Sequence, residues 1–580
     1  MSDTASAGSI RSRTTVLVLW CTLAIALFIS PPANIISWDI FGYYLYLPAT
    51  FIHHDPTIQD ISWVEQAREL YKSSSTLYQA QERPTGGWVL KYPMGLALLW
   101  SPFFLMGHLT ALLTDAPADG FSSPYQWSLI IGTLCYVLLG LWMLMNVLRL
   151  FFSDGITALS IGLVVLGTNY LHQVLYSTGM PHIFLFALQA SLLWYTVLWH
   201  REHRMRHAIV IGFLIGVLCL SRPSEIVIVL IPLFFGMVSF RRWRDQAGLW
   251  WNARGQVLVV ATLVLAVAML QFLYWKKLTG RYLYMSYNNP GEGFDFLRPY
   301  LLEVLFSFRK GWYIYTPLMF VATIGLFRLR RVLPEWSVAL PTFFVMNLYV
   351  IASWSCWWYA DSFGQRALVQ SYAVMALPLG ALLVRSSEQG KAVRIGSGIL
   401  VVALVMLNLF QTRQVATGSI HTSRMTWPAY KAAFLDPHPD VDLGSLWSLD
   451  RSQDLFLAPP DLVGYRRIPF AELLGPGHVG IPWERCNAGD HAFVEVHGKR
   501  SMDAHVPEGM KVVLSMRHGG YPYGERKAVL PATEGSALWY LTPEVRTPSD
   551  SLFVSVSGVG PDHITELHLY VQANAYDRPR

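Results

Sequence analysis

The sequence predicts a mainly α-helical polytopic membrane bundle of about 11 spans with juxtamembrane helices, followed by a small C-terminal all-β extracytoplasmic domain. Hydrophobic residues make up 53% of the 580 residues and charged residues only 14%, proportions typical of polytopic membrane proteins. Apolar runs close to the length that a helix needs to cross a bilayer recur up to residue 411. After that point Pro, Gly, Asp and Arg become frequent, and short alternating stretches between turn residues indicate strands.

Apolar runs bounded by charged residues define the individual spans. The run at 94–113 is set apart, because counting it as a span would move the neighbouring loops to the wrong side of the charge pattern. We expect it to lie on the outer face as a juxtamembrane helix. The predicted spans are 14–31, 126–147, 155–172, 180–199, 208–221, 224–240, 256–275, 311–327, 336–352, 367–384 and 395–411.

Clusters of arginine and lysine orient these spans, because such residues concentrate in cytoplasmic loops. The clusters lie at residues 11–13, 201–206, 241–254, 328–331 and 385–394, all on one side of the predicted bundle. We therefore expect an integral protein of the cytoplasmic (inner) membrane with a retained signal anchor and an extracytoplasmic C-terminus. The net charge of +6 is assigned to this orientation, and no nucleic-acid partner is expected.

The composition divides the chain into three predicted parts. Residues 1–411 form the transmembrane domain, which includes a long outer loop at 32–125. Residues 412–465 form a linker, and residues 466–580 form an extracytoplasmic β-sandwich-like domain.

Asp39 is the first candidate catalytic residue. It follows the first apolar run and stands in the aromatic stretch 38–46. An acid in that place is either a helix N-cap or a solvated loop acid, or it is a general base held against the membrane surface. In the second case burial is expected to raise the pKa of its carboxyl.

Basic and polar residues at the predicted outer turns are candidates for holding an anionic group, since fixed donors stabilise a phosphate that leaves with negative charge. Arg222 and Glu225 could instead pair with each other. The aromatic residues at 354–359 either form an interface belt or stack on a sugar ring. The predicted substrate-binding residues are Lys91, Tyr92, His182, Arg222, Glu225, Arg281, Arg309 and Arg366.

His53, His54 and Asp55 are the candidates for metal binding or a proton relay. Three adjacent residues on a short loop point in different directions, which weighs against a shared metal. The sequence assigns no cofactor and leaves a divalent metal open.

The order of these features resembles the glycosyltransferase C superfamily, the branch that contains protein mannosyltransferases and aminoarabinose transferases of lipid A. The resemblance covers roughly residues 10–410. It rests on an anchor, an acid in the first outer loop, the turn at Lys91, Tyr92 and Pro93 that leads into a juxtamembrane helix, many spans and an outer C-terminal domain. The stretches 280–317 and 354–366 are similar to segments of uncharacterised bacterial members.

This resemblance implies transfer of a sugar, with inversion, from a polyprenyl-phosphate carrier to an extracytoplasmic glycan, lipid or protein acceptor. Asp39 would be the acid that deprotonates or orients the acceptor hydroxyl. Many members carry a second acid directly after this position, where this chain has Ile40, and that departure weighs against an acid pair that binds metal.

Two other functions remain open at this stage. A lipid or polysaccharide transporter usually places its charged sites near the middle of the membrane, whereas the ionisable groups here gather at one rim. A non-catalytic member that binds glycan is the other alternative, because a fold alone does not grant activity. Membrane lipids are expected partners in every case.

Overall fold

The fold is given by a computed structural model. It describes residues 10–84, 86–287 and 293–447, and beyond residue 450 it describes only the backbone of the strands given below. This part of the chain is mainly helical.

The first half begins with one long helix, continues through short helices and a hairpin, and then enters a series of apolar helices. In chain order the elements are α1 (Ile10–Ile29), α2 (Trp38–Tyr44), α3 (Tyr46–Phe51), α4 (Ser62–Leu70), β1 (Ala80–Glu82), β2 (Trp88–Leu90), α5 (Gly95–Leu112), α6 (Ser123–Arg149), α7 (Asp154–Leu166), α8 (Tyr170–Tyr176), α9 (Pro181–Glu202), α10 (Met205–Ser221), a 3₁₀ segment (Pro223–Val229) and α11 (Leu230–Phe234).

The second half alternates long helices with short ones. Its elements are a 3₁₀ turn (Phe240–Arg242), α12 (Trp243–Asn252), α13 (Arg254–Thr279), α14 (Leu301–Phe306), α15 (Trp312–Tyr315), α16 (Pro317–Leu326), α17 (Leu329–Val332), a 3₁₀ turn (Pro334–Trp336), α18 (Ala339–Ala352), a 3₁₀ segment (Arg366–Ser371), α19 (Tyr372–Ser387), α20 (Lys391–Thr417), α21 (Trp427–Ala433) and α22 (Leu443–Leu446).

Proline and glycine explain where several of these helices begin and end. Pro181 and Pro317 are the first residues of α9 and α16, where the missing N–H costs nothing. Gly280 and Gly418 follow α13 and α20 with left-handed backbones, which end a helix without a steric penalty at glycine.

The number of spans differs from the prediction. In the described residues, eight helices are long and apolar enough to cross a membrane, or nine if α7 and α8, which are bent by 54°, form one span. The predicted spans at 208–221, 224–240 and 311–327 correspond to shorter apolar helices. The chain breaks at Pro223 and before Pro317, and composition alone did not reveal how short the resulting helices are.

The run predicted to lie on the outer face forms α5, one of the eight helices that are long enough to span. Pro102 is accommodated inside this helix. Its first residue, Gly95, packs directly on α10, because a Cβ at that position would lie 2.2 Å from the backbone nitrogen of Ser221. This contact holds the turn that follows Tyr92 next to Arg222.

Gly95→Ala should therefore lower the midpoint of thermal unfolding in detergent. The added methyl meets backbone rather than a flexible side chain, and overpacking of this kind costs about 1–3 kcal/mol. Gly248→Ala, in α12, is the matched control, since nothing lies within 4 Å of a Cβ built there. Equal midpoints for the two variants would contradict the close contact of α5 with α10.

A short β-hairpin brings Tyr78 and Tyr92 together. Strand β1 pairs with β2 in antiparallel register, with Ala80 opposite Leu90, and the turn contains Gly86 and Gly87 with φ of +83° and +79°. The Lys91 N–H donates to the carbonyl of Gln79 at 2.8 Å, which continues the pairing beyond the strands. The same register sets Tyr78 opposite Tyr92, so two phenols separated by the whole hairpin in sequence become neighbours.

The predicted linker at 412–465 contains regular structure where it is described, which includes the end of α20, α21, α22 and a short strand at Leu455–Phe456. The buried amide of Gln411 donates to the Tyr430 hydroxyl at 3.0 Å, and the Lys310 ammonium donates to the Thr422 carbonyl. These contacts attach the segment to the helical body. The boundaries proposed for the three parts stay predictions.

Beyond residue 450 the described backbone forms two antiparallel sheets. The strands are β3 (Leu455–Phe456), β4 (Tyr465–Pro469), β5 (His478–Pro482), β6 (His491–Gly498), β7 (Met510–His518), β8 (Tyr521–Leu530), β9 (Ala537–Leu541), β10 (Ser551–Ser557) and β11 (Ile564–Gln572). The order in one sheet is β5-β10-β7-β8 and in the other β3-β9-β6-β11-β4. The assignment of 466–580 as a β-sandwich-like domain stays a prediction.

Candidate active site

Asp39 lies in the first turn of α2 and does not cap it. Ser37 holds the N-cap position. The preceding Trp38 has φ of +50° and is fixed on both sides, by its N–H to Ser73 and by its carbonyl, which accepts from Gln79. This anchored start of the helix leaves the Asp39 side chain to contacts from distant parts of the chain.

Three donors surround the Asp39 carboxylate. The hydroxyls of Tyr78 and Tyr92 donate to Oδ1 at 2.8 and 2.6 Å, and Nη2 of Arg366 donates to Oδ2 at 2.9 Å. The Asp39 and Arg366 side chains are only 20% and 15% exposed. The segment between α1 and α5 therefore meets the start of the 3₁₀ segment before α19 in a largely buried ion pair.

The charge state of Asp39 follows from two opposing effects. Burial raises the pKa of the carboxyl, but the charge of Arg366 and the hydrogen bonds from Tyr92, Tyr78 and Arg366 together bring its pKa below the ordinary value. The expectation of a raised pKa was wrong. The charge that lowers the pKa belongs to Arg366, which lies 327 residues from Asp39 in the sequence.

This pKa predicts how stability depends on pH. A carboxyl whose folded-state pKa is depressed contributes stability that is fully present above its unfolded pKa of about 3.9 and is lost as the pH falls through the folded value. The difference in melting midpoint between the wild type and Asp39→Asn should therefore be constant from about pH 8 to pH 5 and shrink below about pH 4. Thermal unfolding over a pH series checks this, and a difference that changes between pH 6 and pH 8 would contradict it.

Aromatic rings form the wall around Asp39. Tyr43 stacks on Tyr92 with centroids 4.3 Å apart, and Tyr287 meets Tyr92 edge-on at 5.9 Å. Burial and the nearby Asp39 charge raise the pKa of Tyr43 to about 12, and the same two causes raise those of Tyr78 and Tyr92. All three phenols thus stay protonated near neutral pH.

Lys91 is placed in the same wall. It is buried, and its ammonium lies 5.5, 5.9 and 5.3 Å from the ring centroids of Tyr78, Tyr92 and Tyr287. A cation over several aromatic faces is attracted by their ring quadrupoles. The cluster therefore has a second cation, beside the two phenols that bind the carboxylate.

Arg222, His182 and Glu225 lie close by but differ in their contacts. Arg222 lies over the Tyr359 ring at 5.2 Å, and its Nη1 donates to the Ala367 carbonyl at 3.4 Å. His182 is near enough to Arg222, Arg366 and Asp39 to interact with their charges. The Glu225 carboxylate accepts hydrogen bonds from two glutamine amides and interacts with Arg222 only through its charge.

The two remaining predicted arginines lie elsewhere. Arg309 is buried, with its guanidinium 3.9 Å from the centroid of Trp358 and its Nε donating to the Ser423 carbonyl at 2.8 Å. Arg281 is exposed just after α13. Of the aromatic residues at 354–359, Trp357 is only 1% exposed, so it belongs to the packed interior.

Two of the three metal candidates, His53 and Asp55, are engaged in other contacts. His53 stacks on Trp63 with centroids 4.1 Å apart, and Asp55 accepts from the backbone N–H groups of Gln59 and Asp60. Within residues 10–84, 86–287 and 293–447, no group of three or more His, Cys, Asp or Glu side chains is arranged to hold a metal ion.

Sequence reasoning missed Tyr78 and the glutamines Gln189 and Gln370. The signal for Tyr78 was available, because Tyr78 and Tyr92 are equally far from the centre of the turn between β1 and β2. The glutamines were visible as polar residues within apolar runs, which usually face a partner in the bundle. Their partners could not be read from the chain.

The fold and the cluster together define an integral membrane protein with a buried site of carboxylate, guanidinium and phenol groups. No family model matches the chain, and no curated protein matches it.

Among solved structures the chain is similar to the archaeal oligosaccharyltransferase AglB from Archaeoglobus fulgidus in complex with an inhibitory peptide and a dolichol-phosphate. The identity is 13% and the TM-score 0.40, over 75% of this chain and 59% of that one. The apo form of the Archaeoglobus fulgidus oligosaccharyltransferase matches at 13% identity and a TM-score of 0.40, over 74% and 58%. This chain thus spans less than two thirds of those proteins, and a likeness of this size does not assign an activity.

Proposed function

We propose that the protein is a membrane glycosyltransferase that moves a sugar from a polyprenyl-phosphate carrier to an extracytoplasmic glycan, lipid or protein acceptor. The observation that carries the proposal is the buried Asp39–Arg366 pair, with two phenols on the carboxylate and Lys91 and Arg222 nearby. Such a transfer needs a group for the acceptor hydroxyl and fixed positive charge for the leaving phosphate. The cluster offers both within one site.

The Asp39 carboxylate can accept one further hydrogen bond. A carboxylate offers about four lone-pair positions. Oδ1 accepts from Tyr78 and Tyr92, and Oδ2 accepts from Arg366. An acceptor hydroxyl that donates to Oδ2 would use the fourth position. This hydrogen bond would orient the hydroxyl oxygen towards the sugar carbon.

The low pKa of Asp39 determines when the proton moves. A weakly basic carboxylate does not ionise a free hydroxyl, but that proton becomes acidic as the new C–O bond forms. Asp39 therefore orients the hydroxyl first and takes its proton late. The sugar–phosphate bond breaks at the same carbon, and the electron pair stays on the phosphate.

We assign the binding of the leaving phosphate to the cations of the cluster. Arg366 uses Nη2 for Asp39 and directs Nη1 towards the Asp361 carbonyl at 3.5 Å, and a guanidinium has five N–H donors in total. Charge-assisted hydrogen bonds from Arg366 and Arg222 to phosphate oxygens strengthen as negative charge develops. Arginine and lysine concentrate in cytoplasmic loops, so the basic loops at residues 201–206 and 241–254 are assigned to the cytoplasm. This assignment supports an extracytoplasmic position for the site.

Lipid analysis tests the proposal. Extracts of cells with and without the protein are compared by mass spectrometry, with an Asp39→Asn strain alongside. Loss of the protein should leave a polyprenyl-phosphate sugar unconsumed and one class of glycan, lipid or protein lacking a sugar, and Asp39→Asn should reproduce this. If loss of the protein leaves the lipid and glycan composition unchanged but alters the side of the membrane on which the lipid-linked sugar lies, a transporter would be supported instead.

A further inference from the structure

A polar network lies inside the helical bundle beside the Asp39 cluster. Glu225 Oε2 accepts from Gln189 Nε2 at 2.7 Å, and its Oε1 accepts from Gln370 Nε2 at 2.8 Å. The other end of the Gln370 amide, Oε1, lies 3.1 Å from Nδ1 of His182. All four side chains are buried, with exposures of 0 to 4%.

The direction of the Gln370 amide is fixed by its neighbours. The Ala367 carbonyl can only accept a hydrogen bond, so the NH₂ end of Gln370 faces it, and the same nitrogen donates to Glu225. The amide carbonyl then faces His182, and Nδ1 of His182 must carry the proton that it donates. The two ring nitrogens of a neutral imidazole have opposite roles, which leaves Nε2 of His182 as an acceptor.

The same amide also holds the backbone next to Arg366. Gln370 Nε2 donates to the Ala367 carbonyl at 2.8 Å, and Arg222 Nη1 donates to that carbonyl at 3.4 Å. Ala367 directly follows Arg366 at the start of the 3₁₀ segment. Glu225 therefore reaches two groups of the cluster through one side chain: the His182 ring and the turn that carries Arg366.

We propose that Glu225 and Gln370 are positioning residues, which fix His182 as the tautomer protonated at Nδ1 and hold Arg366 against Asp39. This inference rests on the proposed function for its kinetic part. Glu225 and His182 were predicted from the sequence to bind substrate, and here the hydrogen bonds of Glu225 reach the cluster through Gln370, while its charge also acts on Arg222. Gln189 binds the same carboxylate but has no bond to His182 or to the 3₁₀ segment in the described residues, which makes it the matched control.

The kinetic test compares three variants in a sugar-transfer assay. Glu225→Gln, which keeps the size of the side chain, and Gln370→Ala should each lower kcat by about 10-fold or more, with the KM for the lipid-linked sugar nearly unchanged. Gln189→Ala should stay within about threefold of the wild type. Equal losses for Gln189→Ala and Gln370→Ala would overturn the proposal, as would a raised KM with an unchanged kcat in Glu225→Gln.

A second measurement does not depend on activity. Nitrogen-15 solid-state NMR of the protein labelled at its 17 histidines, with His182→Gln used to assign the resonance, reports which ring nitrogen carries the proton. We expect Nδ1–H in the wild type and in Gln189→Ala, and a mixture of tautomers in Glu225→Gln. An unchanged tautomer in Glu225→Gln would overturn the inference. If the histidine tautomers agree with this expectation but the protein transfers no sugar, the positioning network is supported and the proposed function is refuted.

Discussion

Asp39→Asn is expected to lower kcat for sugar transfer by at least about 100-fold, because a positioned acid–base group contributes about 10² to 10⁴. The amide keeps the size of the side chain and still accepts from Tyr78 and Tyr92, but it cannot take a proton from the acceptor. It also leaves the buried Arg366 without its counter-charge. We therefore expect a lower melting midpoint as well, because removing one partner leaves the other charge largely buried and unpaired.

The measurement is transfer from a polyprenyl-phosphate sugar by purified protein in lipid, together with thermal unfolding of the same samples. Asp115→Asn is the control, because Asp115 is an exposed acid between α5 and α6. It should change neither quantity. Wild-type transfer rates in a folded Asp39→Asn protein would remove Asp39 from the mechanism.

Arg366→Gln is expected to lower kcat to a similar extent and also to change its pH dependence. Without the guanidinium, burial becomes the dominant influence on Asp39, so the pKa of Asp39 should rise. The remaining activity should then increase with pH over a range in which the wild type is flat. The phosphate also loses one of its charge-assisted donors, which is why raising the pH should not restore the full rate.

A pH series of kcat for both proteins checks this result. Arg413→Gln is the control, since its side chain is exposed on α20. If the Arg366→Gln profile is as flat as that of the wild type, Arg366 does not set the charge state of Asp39. Arg366→Lys helps to separate charge from geometry, because a lysine offers a point charge without the planar fork of donors.

The helical character of the chain could be predicted because apolar runs and basic clusters are local properties. The number of spans could not, because composition does not show where a run divides into shorter helices. The predicted span at 224–240 contains a 3₁₀ segment that begins at Pro223 and the short α11, and α16, in the predicted span at 311–327, is only ten residues long. A position in the membrane also depends on packing partners, as the contact of Gly95 with α10 illustrates.

The candidate site was predictable in part for a similar reason. Asp39, Lys91 and Tyr92 belong to one segment with recognisable chemistry, and Arg366 was noticed as a charge at the start of a predicted span. The structure places all four in or beside one cluster. The sign of the pKa shift and the role of Gln370 were not predictable, because each depends on partners that only the folded chain brings together.

The separation of Asp39 and Arg366 has a consequence for how the protein is made. The two residues are 327 positions apart, so at about 5–20 residues per second the acid is synthesised roughly 16 to 65 s before its partner. During that interval the apolar helices between them are synthesised while Asp39 has no counter-charge. The ion pair therefore cannot close until most of the helical part of the chain has been made, and a chain that stops before Arg366 carries an uncompensated acid in its largely buried site.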